Sequence, residues 1–184
     1  MAEELNIKAY LSFVPNHIYI KQKSKEFGWY NTELTNRMFP SDAWVMTSGY
    51  VSRDAIVSGI YMDTIGSEQN IAICLNDLAK GYLRKRDNNA NLNFVLKCCN
   101  LGLLHFPNYV ELLLLKAETL KKKYQTQKSS ELYSEMEQTY TILAKLHYRE
   151  ISEQMYNEWI TSMQRDKSIY NRNELTNSIN PQTK

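Results

Sequence analysis

Two hydrophobic periods divide this chain, and the switch between them constrains the fold more than any single motif. Ahead of position 36, branched and aromatic residues cluster or alternate, in Lys8 to Val14, His17 to Gln22 and Trp29 to Leu34. From Ser67 onward, apolar residues recur at every third or fourth position. Alternation suits an extended chain whose successive side chains point to opposite faces, whereas spacings of three and four put side chains on one stripe of a helix. The expected fold class is α+β, mostly α, with a small antiparallel sheet at the N-terminus packed on an antiparallel helical array.

Pro15 ends the first strand, and Lys23-Ser24-Lys25-Glu26-Phe27-Gly28 forms a polar turn after the second. In the second strand Ile18 and Ile20 lie on one face, and His17, Tyr19 and Lys21 on the other. A sheet of two or three short strands is marginal alone and must pack against something. Phe39-Pro40-Ser41-Asp42 reads as a helix start with Ser41 as its cap. Two short helical pieces are expected, one over about Asp42 to Thr47 and one from Ser52, as cap, to about Ser58. Ile60 to Thr64 carries no periodic signal and is left unassigned.

Five longer helices follow. Ile71, Leu75, Leu78, Ala79, Tyr82 and Leu83 mark the first, which Arg84 to Asn89 closes. Leu92, Val95, Leu96, Cys99 and Leu103 mark the second, ending before Pro107. Val110 to Tyr124 is the third, with a polar turn over Gln125 to Ser130, and Leu132 to Leu146 the fourth. A closing helix from about Ile151 to Met163 carries Met155, Trp159 and Ile160. The organisation is a sheet over 1–36, connecting short helices over 37–66, the helical array over 67–166, and a loose polar tail over 167–184.

The array has an internal repeat. Ala79 and Ala117 stand at equivalent places 38 positions apart, and Leu103 to Tyr109 is a helix end plus proline ahead of a new helix. Proline cannot continue a helix but opens the next one well. With a small residue at Ala79, an aromatic at Tyr82 and Pro107 after the second helix, the pattern resembles the tetratricopeptide repeat. That family's period is about 34 residues, so roughly one extra turn is expected around Asp87 to Ala90, and Cys98 stands where alanine is usual. The resemblance implies that the first helix of each pair lines a concave face. Its exposed residues would be Asn76, Lys80 and Arg84, then Glu118, Lys121 and Lys122. Such a groove could hold an acidic peptide or a C-terminal carboxylate. The alternative is that Arg84 to Arg86 and Lys121 to Lys123 sit at helix C-termini, where cations offset the dipole. His105 and His147 each lie near a helix end and read as capping or packing residues.

The strand region carries chemistry of its own. His17 opens one strand, and Gly28-Trp29-x-x-x-Glu33-Leu34-Thr35 forms the next. This arrangement resembles the second half of a transglutaminase-like core, a papain-related fold in which a histidine begins a strand and an acid follows in a Gly-Trp-x-x-x-Asp-Pro-Thr setting. The resemblance covers about residues 5 to 36, with Glu33 in place of the aspartate and Leu34 in place of the proline. It implies that His17 is the base and Glu33 the group that fixes its tautomer. It also implies a cysteine at a helix start N-terminal to this sheet, and no cysteine precedes His17. Cys74, Cys98 and Cys99 lie among apolar helical neighbours and are not promoted to nucleophile.

A net charge of +2 is too small to argue for nucleic acid, and no apolar run approaches the roughly 20 residues of a spanning helix. Met1-Ala2-Glu3-Glu4 is acidic and is no signal peptide, and three cysteines, two of them adjacent, imply no disulfide framework. A reducing, cytoplasmic setting is expected, with no cofactor and no metal. The function expected from sequence is a protein-binding module that is a catalytically inactive relative of transglutaminase-like proteins. It would contact a protein or peptide, or a second copy, through the groove or an exposed strand edge. The alternative is the C-terminal portion of a cysteine-dependent transglutaminase or protease, completed by a segment that carries the nucleophile.

Overall fold

The computed structural model describes residues 7–26, 28–35, 37–86, 90–150, 152–155, 157–158, 161 and 164–165. The fold is α+β and mostly helical, with its one described sheet at the N-terminus. It divides into two compact units: Met1–Ser52 with Glu150–Lys184, and Arg53–Arg149.

In the first unit, strands β1 (Lys8–Val14), β2 (His17–Ser24) and β3 (Gly28–Thr32) form an antiparallel sheet in the order β1-β2-β3. Asn16, at φ 60°, makes the tight turn from β1 to β2, a conformation asparagine tolerates better than most residues. The register sets Ser12 opposite Tyr19 and Val14 opposite His17, and Lys21 opposite Asn31. β3 is two residues shorter at its end than the sequence suggests, because Glu33 leaves the ladder to pair with Met38. Helix α1 (Asp42–Ser48) begins where the proline-serine signal places it, with Ser41 Oγ accepting from Trp44 N at 3.2 Å. Gly49 ends it. A Cβ there would lie 3.1 Å from Val14 Cβ, so glycine allows the helix end to press onto β1.

The alternation in β2 is as read, but its apolar half is not the buried half. Ile18 is 46% exposed, whereas Tyr19 is 4% exposed and Lys21 keeps only 14% of its side chain in solvent. The inward face is therefore the polar one, and Asp42 at the start of α1 gives Lys21 an ion-pair partner there.

In the second unit, α2 (Arg53–Val57) precedes a segment that periodicity left unassigned. Ile60, Tyr61, Met62 and Ile65 in it are all buried, so this connection is part of the core. Helices α3 (Ser67–Arg86), α4 (Leu92–His105), α5 (Val110–Gln127) and α6 (Ser130–Lys145) follow. Each packs on the next, and α3 also reaches α5. Ala79 and Ala117, the small residues of the repeat, are both fully buried, as are Val95, Cys99, Leu112 and Leu120. Asn91 caps α4 through its side chain, accepting from Asn93 N and Phe94 N. Phe106 and Tyr109 stack at 5.2 Å around Pro107, fixing the corner into α5. His105 falls in the last turn of α4. His147 takes a left-handed conformation after α6, letting Tyr148 N bond Leu143 O at 3.1 Å and close the helix.

Helix α5 runs further than expected, to Gln127, with Lys128 as its left-handed cap. Lys121, Lys122 and Lys123 therefore lie inside the helix and do not offset its C-terminal dipole, whereas Arg84, Lys85 and Arg86 do occupy the last turn of α3. The extra turn expected at Asp87 to Ala90 falls mainly outside the described residues. So do Trp159 and Ile160 of the closing helix, and the 167–184 tail.

Candidate functional site

The two residues singled out by the strand motif meet. His17 at the start of β2 and Glu33 just past β3 are sixteen positions apart, yet share the inward face of the sheet, and Glu33 Oε2 bonds His17 Nε2. The register explains why. Ile20 pairs with Thr32, so Glu33 falls one step on, beside Tyr19 and diagonal to His17. The second oxygen, Oε1, accepts from Thr35 N at 2.8 Å, and the Glu33–Met38 backbone pair closes the loop behind it. Both carboxylate oxygens are thus held, and the side chain is 5% exposed.

Burial by itself would raise the Glu33 carboxyl. The bonds from His17 and from Thr35 outweigh it and hold the group below its ordinary value of 4.5. Glu33 is therefore an anion at neutral pH. An anion at Nε2 keeps the proton on that nitrogen, so any proton this ring takes up is taken up at Nδ1.

Around this pair lies a polar floor that sequence reasoning missed. Asn31 donates from Nδ2 to Pro40 O at 3.0 Å and to Asp42 Oδ1 at 2.8 Å, and Lys21 Nζ lies 3.4 Å from the same Asp42 oxygen. Ser12, Tyr19 and Asn31 are at most 4% exposed, and Ser12 Oγ, Tyr19 OH and Asn31 Oδ1 have no hydrogen-bond partner. Burial pushes the Tyr19 phenol up to about 12, with the neighbouring Ser12 hydroxyl, outside bonding geometry, opposing that rise. The signal was present in the sequence as alternating polar positions 17, 19, 21 and then 31, 33. Read as strands, however, such positions look like the solvent face.

The other expected site residues do not form one surface. Asn76 is 4% exposed, so it is a core residue and not part of an open groove. Lys80 is paired with Glu111 of α5 at 2.5 Å. Glu118 accepts from Tyr140 OH at 2.5 Å and sits 3.9 Å from Lys121. Arg84, Lys121 and Lys122 are exposed.

All three cysteines belong to the helical unit, and none lies in the sheet unit. Cys74 is exposed, and Cys98 and Cys99 are buried, where burial pushes both thiols up, Cys99 to about 12. A thiol reagent at neutral pH is therefore expected to label Cys74 in the native protein and Cys98 and Cys99 only after unfolding. Mass spectrometry of the labelled peptides checks this, and native labelling at Cys99 would contradict the burial assigned to it.

Among the described residues no cluster of His, Cys, Asp and Glu could hold a metal ion, and no helix is long and apolar enough to cross a membrane. No protein-family model matches the chain, and comparison with curated proteins and with solved structures finds no match either.

Proposed function

We propose that the sheet unit carries the base-and-orienter half of a transglutaminase-like acyl-transfer site, with the nucleophilic thiol supplied from outside the described residues. The observation that carries this reading is the bond between His17 Nε2 and a buried, anionic Glu33. A carboxylate locked at Nε2 orients the ring and stabilises the imidazolium formed when Nδ1 takes a thiol proton. The thiolate would add to the acyl carbon, the amine would leave with the proton returned by His17, and the thioester would then pass to water or a second amine. The unpartnered hydroxyls of Ser12 and Tyr19 on the same face support the reading, since buried polar groups that folding leaves unsatisfied concentrate at functional sites. By itself the chain is not expected to catalyse acyl transfer, because Cys98 and Cys99 are buried thiols pushed up by that burial and Cys74 lies in the middle of α3 and not at a helix start.

The test is to express the chain with any coding sequence found in frame ahead of it and to assay amine incorporation into an acyl-donor peptide. Activity is expected to need a cysteine from that segment and to fall about a thousandfold on His17→Ala. Absence of a cysteine-bearing segment, or activity indifferent to His17→Ala, overturns the reading.

A second reading concerns the helical unit. The α3–α4 and α5–α6 pairs, with α3 also touching α5, have the neighbour pattern of a tetratricopeptide-like array, which favours protein or peptide binding. Arg84, Lys121 and Lys122 remain the cationic candidates for an acidic peptide. A reducing, cytoplasmic setting suits a chain whose three cysteines are all unbridged.

A further inference from the structure

Helix α3 buries Ala72, Ile73, Asn76 and Ala79, and carries a second apolar stripe in which Ile71 and Leu78 are exposed and Leu75 and Tyr82 half-buried. Ile71, Leu75, Leu78 and Tyr82 follow one another at steps of four, three and four, which places them on one line along the helix. Ile71 is 43% exposed and Leu78 is 53% exposed, a large apolar surface for one helix of a packed unit. The stripe is not on the side that meets α5, since Lys80, which pairs with Glu111, lies half a turn away from Leu78 and Tyr82. Its far end is rigid, because Tyr82 packs on Phe94 of α4 at 4.7 Å and its hydroxyl accepts from Asn91 N at 3.0 Å. Cys74 and Gly81 flank the stripe with small side chains, and a Cβ at Gly81 would meet nothing within 4 Å.

The stripe is also palindromic. Ile71 and Tyr82 are equidistant from the midpoint between Asn76 and Asp77, as are Leu75 and Leu78. The same midpoint relates Glu68 and Lys85, exposed residues at the two ends. A two-fold interface is isologous, so a residue that contacts a given position is itself contacted by the equivalent residue of the other copy. A palindrome with opposite charges at its ends meets that condition for two antiparallel helices.

We infer that the outward face of α3 is the contact surface of a homodimer, in which two copies of α3 pack antiparallel about the Asn76–Asp77 midpoint. Ile71 meets the second copy's Tyr82, Leu75 meets its Leu78, and Glu68 meets its Lys85. This surface is distinct from the edge of the sheet and does not depend on the His17–Glu33 pair. Antiparallel alignment also opposes the two helix dipoles favourably, and the match of Glu68 to Lys85 selects this register over a parallel one, in which Glu68 would face Glu68.

Sedimentation velocity of the full chain between about 1 and 100 µM tests the inference, since a modest helix–helix interface dissociates in that range. A concentration-dependent monomer–dimer equilibrium is expected, and Leu78→Glu weakens it by about tenfold or more, because two charges then face apolar surface at the centre. Glu68→Lys and Lys85→Glu each weaken it, since symmetry creates every like-charge contact twice, and the double variant Glu68→Lys/Lys85→Glu restores it. Thermal melts followed by circular dichroism show that the variants, all at exposed positions, keep the fold. A monomer at every concentration, a dimer indifferent to Leu78→Glu, or a double variant no tighter than either single one overturns the inference.

Discussion

Leu112→Ala is expected to destabilise the helical unit by about 3 kcal/mol, and Gly102→Ala to change from destabilising to stabilising in its presence. Leu112 is fully buried, so truncating it forfeits its transfer free energy and opens a cavity. Gly102 of α4 is part of the same packing. A Cβ at that position would overlap Leu112 Cδ1 and stand 3.4 Å from Ala72 Cα, so three helices converge where only glycine fits. In the native background the overlap outweighs the helix-propensity gain of about 1 kcal/mol that alanine brings, because overpacking costs about 1 to 3 kcal/mol. With Leu112 cut back, the overlap is removed and only ordinary contact with Ala72 remains, so the propensity gain stands alone. Chemical denaturation of the four proteins of this cycle, followed by circular dichroism, measures the coupling. Equal effects of Gly102→Ala in both backgrounds would refute the close packing of α4 on α5.

Removing the Glu33 side chain is expected to cost the sheet unit about 1 to 3 kcal/mol, because it takes the acceptor from the half-buried His17 ring and from Thr35 N at once. Glu33→Gln keeps the shape and can still accept from Thr35, so its effect at neutral pH is smaller. Its main consequence is in acid. The folded-state value of Glu33 lies below the ordinary 4.5. Its contribution is therefore fully present above that unfolded value and is lost as pH falls through the lower folded one. Unfolding free energies of the parent protein should accordingly fall more steeply below pH 4.5 than those of Glu33→Gln. Parallel acid profiles would show that the carboxylate is not held by His17 and Thr35.

The His17–Glu33 pair and the elements that carry it differ in how far they could be read ahead of the structure. The limits of β1, the start of β2, the Ser41 cap, the corner at Pro107 and the burial of Ala79 and Ala117 follow from local signals, because backbone period and capping depend on residues within a few positions. The pairing of His17 with Glu33 was legible for a related reason. Two strands joined by a short turn have few registers, and the inward-outward alternation then leaves one face in which both residues fit.

What local pattern could not supply is which face is inside. Ile18 points out and Lys21 in because Asn31 and Asp42, residues ten or more positions away, give the polar face its partners. Asn76 was read as a groove residue and is core, since it lies on the face of α3 that is buried with Ala72, Ile73 and Ala79. Ile71 and Leu78 mark the same helix by their period yet lie in solvent, because the buried face centres on Ala72, Asn76 and Ala79. The sequence by itself determined which elements form, where most of them begin, and that His17 and Glu33 lie on one face of adjacent strands, because short-range geometry dictates these. The tertiary structure alone decided the buried face of the sheet and the open face of α3, because burial is set by partners distant in the chain.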